Sequence, residues 1–203
     1  MARLEGRAAV ITGAGGGIGR RNDRRFAREG AQVVLLERES TIGSGTSSRS
    51  SGVIHAGLYY PDGSHKERLC IEGKALLYRY CIDNGVPFEQ TGKWIVASTG
   101  QESRLEAIHD QAVKKSVSVR RLSKHEIHRS EPELRCRAAL ESPSTGIIDA
   151  HYLIHSLVRD FELAGGLVHC RAEAVSVEIL GDKAQTVLRD GTHVSAGLEI
   201  NAT

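Results

Sequence analysis

Ala8-Ala9-Val10-Ile11-Thr12-Gly13-Ala14-Gly15-Gly16-Gly17-Ile18-Gly19, followed further on by Gln32-Val33-Val34-Leu35-Leu36-Glu37, is the stretch that decides the fold. Its first five residues are the short apolar run of a strand buried on both faces, and the glycines after it allow a tight turn. A helical stretch to Gly30 leads into the second apolar run, which Glu37 closes. Strand, glycine turn, helix and strand in that order predict a βαβ unit and an α/β domain with a parallel sheet. In such a unit Gly13, Gly15, Gly16, Gly17 and Gly19 let a pyrophosphate approach a helix N-terminus, and Glu37 accepts from ribose hydroxyls. The competing reading is an ordinary crossover with no ligand. The segment Arg20-Arg21-Asn22-Asp23-Arg24-Arg25 makes that helix awkward to pack, because burying an unpaired Asn22 or Asp23 costs roughly 1–3 kcal/mol.

With 203 residues, 40% hydrophobic and 26% charged, the chain is long and apolar enough to bury a core. A formal charge of +2 is too small to argue for a nucleic-acid partner, and none is expected; the basic run from Arg20 to Arg28, interrupted by Asp23, reads as a solvated helix face. Cys70, Cys81, Cys136 and Cys170 lie far apart without C-x-x-C spacing. Neither a zinc site nor a disulfide framework is expected, and a reducing cytosol fits. Met1 to Glu5 lacks the apolar core of a signal peptide, and no run approaches the length of a membrane-spanning helix.

A second informative stretch runs from Ser47 to Tyr60: Ser47-Ser48-Arg49-Ser50-Ser51-Gly52-Val53-Ile54-His55-Ala56-Gly57-Leu58-Tyr59-Tyr60. The hydroxyls of Ser47, Ser48 and Ser51 suit phosphate or sugar oxygens, Gly52 permits close backbone approach, and a histidine beside two phenols can move a proton. The alternative is a Ser-rich connection into a buried strand that carries a satisfied core histidine.

Ser51-Gly52-Val53-Ile54-His55-Ala56-Gly57-Leu58-Tyr59-Tyr60-Pro61, with Lys66, Arg68-Leu69-Cys70 and Glu72-Gly73, resembles the L-2-hydroxyglutarate oxidase/dehydrogenase branch of the D-amino-acid-oxidase-like flavoproteins. The resemblance covers about residues 33–203. It implies a Rossmann-like FAD-binding domain in two pieces, 1–88 and 146–203, with an inserted α+β substrate-cap segment, 89–145. The implied activity is FAD-dependent oxidation of an L-2-hydroxy acid such as L-2-hydroxyglutarate, with electrons passing to oxygen or a quinone-type acceptor. His55 then does acid/base or positioning work beside the flavin, and Tyr59 and Tyr60 hydrogen-bond flavin or substrate. Pyrophosphate lies over Gly15 to Gly19, Ser47, Ser48, Ser51 and Gly52 line the same cleft, and the strand near Val175 passes the adenine. The implied location is cytoplasmic, free or peripheral to the inner membrane.

The glycine spacing keeps a second cofactor open. Thr12-Gly13 with Gly17 and Gly19 resembles the T-G-x-x-x-G-x-G turn of short-chain dehydrogenases, which implies NAD(P). The flavoprotein pattern G-x-G-x-x-G instead puts Ala14 at its first glycine, with Gly16 and Gly19 as the others. The dehydrogenase family also implies a Tyr-x-x-x-Lys pair, yet Gly63, Ser64, Ile82, Asn84 and Ser156 follow Tyr59, Tyr60, Tyr78, Tyr80 and Tyr152 at that distance. That second resemblance ends near residue 40. An NAD(P)-dependent dehydrogenase and a non-catalytic fragment that binds nucleotide weakly stand as the alternatives. Flavoprotein relatives continue well beyond the position of Thr203, so this C-terminally truncated chain is expected to hold FAD weakly, to turn over no hydroxy acid and to expose apolar surface beside Leu198 to Ala202.

Local signals divide the rest of the chain. Ser64-x-x-Glu67 opens a helix with a stripe of Leu69, Leu76, Leu77 and Tyr80 and a stop at Asn84-Gly85. Thr91 to Ala97 reads as a strand; Lys93 at its start follows the Gly-Lys pattern that begins the substrate-domain sheet in the resembling flavoproteins, although a lone lysine there is usually just solvated. Thr99-x-x-Glu102 caps a helix with Leu105, Ile108 and Ala112 on one side, and Ser123-x-x-Glu126 caps a short one ended by Pro132. Asp149 caps a helix with Leu153, Leu157 and Phe161 inward. His65, His109, His125, His128 and His151 fall on polar faces. Strands follow at 167–170 and 174–179, and Asp190-Gly191 turns a hairpin between 186–188 and 192–194.

Overall fold

The computed structural model describes residues 8–12 and 29–201. The turn at Gly13 to Gly19 and the helix expected after it, with Asn22 and Asp23, lie outside the described residues. In chain order the elements are β1 (Ala8–Thr12), β2 (Gln32–Glu37), a 3-10 turn (Thr46–Arg49), β3 (Val53–Ile54), α1 (His65–Asn84), β4 (Phe88–Glu89), β5 (Trp94–Ala97) and α2 (Glu102–Lys114). Then come β6 (Arg120–Leu122), α3 (Lys124–Ser130), β7 (Ala138–Glu141), β8 (Gly146–Ile148), α4 (Ala150–Leu163), β9 (Leu167–Cys170), β10 (Ala174–Leu180), β11 (Lys183–Leu188), β12 (His193–Ala196) and β13 (Leu198–Asn201). They form two compact units, Met1–Ser51 with Ala150–Thr203, and Gly52–Asp149.

The first unit is built on a parallel sheet in the order β13-β1-β2-β9. Successive side chains of a strand point to opposite faces, so a strand covered on both sides is apolar along its covered length, as Ala8 to Ile11 of β1 and Val33 to Leu36 of β2 are. Ala9, Ile11, Val33 and Leu35 pack on one face with Ile154 and Phe161 of α4. Val10 and Leu36 pack on the other with Ala172, Leu188 and Ala196, where the antiparallel meander β10-β11-β12 lies. Helix, sheet and meander make three layers. The hairpin expected at Asp190-Gly191 joins β11 to β12, with the Leu188 N–H donating to the Thr192 carbonyl at 2.8 Å.

The second unit holds two small antiparallel sheets, β3-β8-β4 and β5-β7-β6. Leu105 and Ile108 of α2 cover the latter through Ala97 and Leu140, and Ile127 of α3 covers it through Leu122 and Ala139. Both Ser64 and Ser123 accept the backbone N–H three residues on, as their spacing predicts.

Three local expectations change. The inner row of α1 is Glu67, Ile71, Lys74, Tyr78 and Cys81, whereas Leu69 and Leu76 are 48% and 71% exposed. The reason is specific bonding: Lys74 Nζ donates to Ser144 Oγ at 2.7 Å and Tyr78 Oη to the Ser144 carbonyl at 3.2 Å. Satisfied polar groups therefore occupy the face that apolar periodicity assigns elsewhere. Thr99 does not cap α2; its hydroxyl accepts from Arg137 Nε at 3.1 Å, and the helix starts after Gln101. In α4, Phe161 is fully buried as expected, but Ile154 takes the second innermost place ahead of Leu153 and Leu157.

Candidate functional site

In the segment after β3, Ile54 and then Ala56, Gly57 and Leu58 are buried, while His55 and Tyr59 on either side of that buried run are exposed. Gly57 sits at φ +93°, where an added Cβ would stand 2.7 Å from Ile71 Cγ1. That combination of left-handed backbone and close approach requires glycine, and it turns the chain so that both tyrosines follow His55 around one opening. His55, Ala56, Gly57, Leu58, Tyr59, Tyr60, Lys93 and Thr145 line a shallow, narrow cleft. The reading of His55 as a satisfied core histidine is therefore set aside.

Two ammonium groups stand over the phenol rings, Lys93 Nζ at 4.5 Å from the Tyr59 centroid and Lys66 Nζ at 4.8 Å from that of Tyr60. Both distances fall within cation–π range. Cys70 Sγ donates to the His55 carbonyl at 3.4 Å, fixing the histidine backbone while its ring stays exposed. Burial, helped by the charge and hydrogen bond of Cys70, pushes the Tyr60 phenol above its usual range. Burial also pushes the Cys70 thiol up, against the opposing pull of Tyr60, Lys74 and Lys66. Both groups are thus protonated donors at neutral pH.

The far side of the Tyr60 segment is clamped. Lys115, with a side chain 6% exposed, donates to the Tyr60 carbonyl at 2.9 Å and pairs with Asp62 at 2.9 Å and Glu67 at 3.4 Å. Glu67 also accepts from the Gly63 N–H at 2.7 Å, so the turn at Pro61-Asp62-Gly63 is tied to α1 and α2 together.

The remaining expected site residues distribute as follows. Glu37 closes β2, half-buried, and its Oε1 accepts from the Glu39 N–H at 3.0 Å. Ser47 and Ser48 lie in the 3-10 turn, where Ser48 Oγ donates to the Ser44 and Gly45 carbonyls at 2.8 Å. Ser51 is exposed at the end of the first unit. Gly52, at φ +66°, opens the second unit, and a Cβ there would stand 2.8 Å from the Ile148 carbonyl. Val175 is half exposed on β10. The structure thus brings His55, Tyr59 and Tyr60 to one cleft and places Glu37, Ser47, Ser48, Ser51 and Val175 in the other unit.

Thr145, which sequence spacing does not single out, also lines the cleft, and Lys66 and Cys70, quoted above only for the resemblance, adjoin it through Tyr60 and His55. Lys66, Cys70 and Lys74 are spaced by four along α1, which puts them on one face and was the available signal. Among the described residues, no group of three or more His, Cys, Asp or Glu side chains could hold a metal ion, and no helix is long and apolar enough to cross a membrane.

Comparison with known proteins adds three findings. Residues 11–203 match the family described as "FAD dependent oxidoreductase". The chain is 41% identical over 151 residues to the mitochondrial L-2-hydroxyglutarate dehydrogenase of Arabidopsis thaliana, 36% over 149 to that of Homo sapiens, and 34% over 149 to the L-2-hydroxyglutarate dehydrogenase of Indibacter alkaliphilus. These matches take in 73%, 72% and 72% of this chain but 31%, 32% and 37% of those proteins, so the chain spans about a third of the length of the curated relatives it matches. Among solved structures, glycine oxidase from Geobacillus kaustophilus superposes with a TM-score of 0.84 at 22% identity, covering 97% of this chain and 55% of that one. L-alpha-glycerophosphate oxidase from Mycoplasma pneumoniae gives 0.83 at 22%, covering 92% and 50%. At that identity the likeness is one of fold.

Proposed function

Because the chain belongs to the FAD dependent oxidoreductase family, we propose that it serves the oxidation of an L-2-hydroxy acid such as L-2-hydroxyglutarate. The observation that carries this reading is the cleft in which the exposed His55 ring, two phenols and a lysine ammonium converge, in a chain 34–41% identical to proteins of that name. The residues fit FAD: an acid closes β2 at the position that receives a ribose, and Glu37 spends one oxygen only on a local N–H. When bound, the flavin supplies the hydride acceptor. His55 takes the proton from the substrate hydroxyl, and its exposed ring on a fixed backbone leaves it free to return that proton to water. Tyr59 and Tyr60 orient the substrate through their hydroxyls.

Residues 1–88 and 146–203 form the cofactor domain in this proposal, and 89–145 the cap segment. In its favour, β5, β7 and β6, all inside 89–145, share a sheet of their own, whereas the compact units divide at Ser51/Gly52 and Asp149/Ala150. Gly13, Gly15, Gly16, Gly17 and Gly19 hold the pyrophosphate, Ser47, Ser48, Ser51 and Gly52 continue the cofactor cleft, and Val175 borders the adenine. Oxygen or a quinone-type compound accepts the electrons. We assign a cytoplasmic location, free or peripheral to the inner membrane; relatives named as mitochondrial make that organelle the alternative.

Titration of the protein with FAD, followed by flavin fluorescence, tests the reading. Saturable binding that Glu37→Ala weakens supports it. NAD(P)H binding with no flavin binding would replace it by the nicotinamide alternative, and no nucleotide binding by the fragment alternative.

A further inference from the structure

Of the lysines that surround Tyr59 and Tyr60, Lys115 is buried and engaged by Asp62 and Glu67, and Lys74 donates to Ser144. Lys93 differs. Among the described residues it forms no ion pair, and its ammonium rests over the face of Tyr59 at the cleft wall. An ammonium carries three donors, and a ring face attracts the charge without accepting from more than one of them. Donors are left for a ligand.

The position is built rather than incidental. The Lys93 N–H donates to the Ser142 carbonyl at 3.1 Å, and the Ser142 N–H returns a bond to the Lys93 carbonyl at 2.7 Å. Ser142, completely buried, meets Thr145 through their hydroxyls at 3.0 Å, and Thr145 lines the same cleft. The backbone that carries Lys93 is therefore held to the strand end that also places Thr145. At the cleft itself Lys66 adds a second cation over Tyr60 and the nearby acids Asp62 and Glu67 are taken by Lys115, while Glu131 shares with Lys93 the lining of a separate, wider hollow. A cleft lined by an ammonium without an ion pair, with a second ammonium close by over Tyr60, favours anions.

We propose that Lys93 is the anion-binding group of this cleft and receives a carboxylate of a small organic acid, with the Tyr59 ring as its platform. The inference rests on the hydroxy-acid reading for the identity of the acid, and it adds the residue that selects for charge. Lys93 and His55 line the same cleft, so a carboxylate held by one brings the rest of a short hydroxy acid towards the other.

The probe is glutarate, a dicarboxylate with no hydroxyl to oxidise, titrated calorimetrically into the 203-residue protein without added cofactor. Saturable binding is expected in the native sequence. Lys93→Met should weaken it about tenfold or more, as loss of a charge-assisted hydrogen bond does. Lys93→Arg, which keeps the charge, should retain it within about threefold. A second readout uses the native side chain: reductive ¹³C-methylation of the lysines gives a Lys93 signal, identified by its absence in Lys93→Arg, that must move on adding glutarate. No saturable binding, equal binding by Lys93→Met, or an unmoved Lys93 signal each overturns the inference. The outcome is separable from the reaction reading, because absent flavin binding refutes that reading alone, whereas flavin binding with Lys93-independent glutarate binding refutes only this one.

Discussion

The Lys115 ammonium donates to the Tyr60 carbonyl across 2.9 Å, joining the end of α2 to the segment that carries both phenols of the cleft. Lys115→Met would leave Glu67, 10% exposed, and the Tyr60 carbonyl without this partner. The expected loss of stability is about 1–3 kcal/mol, below that of a fully buried pair because Asp62 is largely solvated. Urea unfolding should show the lower midpoint; an unchanged midpoint would mean that the clamp holds nothing.

The same pair sets an alkaline limit. Burial lowers the Lys115 pKa, but the hydrogen bonds and charges of Asp62 and Glu67 outweigh it and leave it raised. A raised lysine contributes its full stability below the ordinary lysine value of about 10.4 and loses it as pH climbs through the folded value. Stability should therefore fall above that range, and the fall should be shallower in Lys115→Met, as read from unfolding midpoints across the alkaline series.

At the acid end, the backbone and side chain of Ser123 and then the Arg120 guanidinium hold the Glu126 carboxyl down at about 2. A depressed carboxylate stabilises fully above its unfolded value and ceases to do so as pH falls through the folded one. The α3 cap should hold at pH 5 and open progressively towards about pH 2. Glu126→Gln should remove that part of the acid dependence, measured by amide exchange over residues 124–130.

Gly146 tests the packing behind the cleft. A Cβ there would meet Tyr78 Oη, the Glu89 carbonyl and the Gln90 backbone. Gly146→Ala should cost about 1–3 kcal/mol by overpacking, with thermal unfolding as the measure.

His55→Gln separates a functional from a structural histidine. Its ring is exposed and the bond it is seen to make is through its carbonyl, so stability should change by less than about 0.5 kcal/mol. A loss of several kcal/mol in chemical denaturation would return His55 to a packing role.

Much of the fold was legible because its signals are local or periodic. The apolar runs at 8–12 and 32–37 report burial on both faces, and the Ser123 box and the Asp190-Gly191 turn need only neighbouring residues. The inner face of α1 was not legible, since Lys74 and Tyr78 are accepted inside by Ser144, 70 and 66 residues away. The contacts of Lys93 were not legible for the same reason, since sequence spacing does not connect it to Tyr59 and Ser142. His55, Tyr59 and Tyr60 could be grouped because one short segment carries all three.

The parallel sheet of the first unit also dictates an order of assembly on the ribosome. β1 pairs with β2 early, but its other neighbour, β13, and the partner of β2, β9, come from residues 198–201 and 167–170. The segment 52–149 contains every strand of its own two sheets and can close them as soon as it emerges. The middle of the chain therefore folds before its beginning is finished, and β1 and β2 wait with open edges until the last strands arrive. Such a wait slows folding more than it weakens the product, because each doubling of loop length adds only about 0.6 kcal/mol of closure entropy. During that interval the apolar strands β1 and β2 present the open edges that favour aggregation.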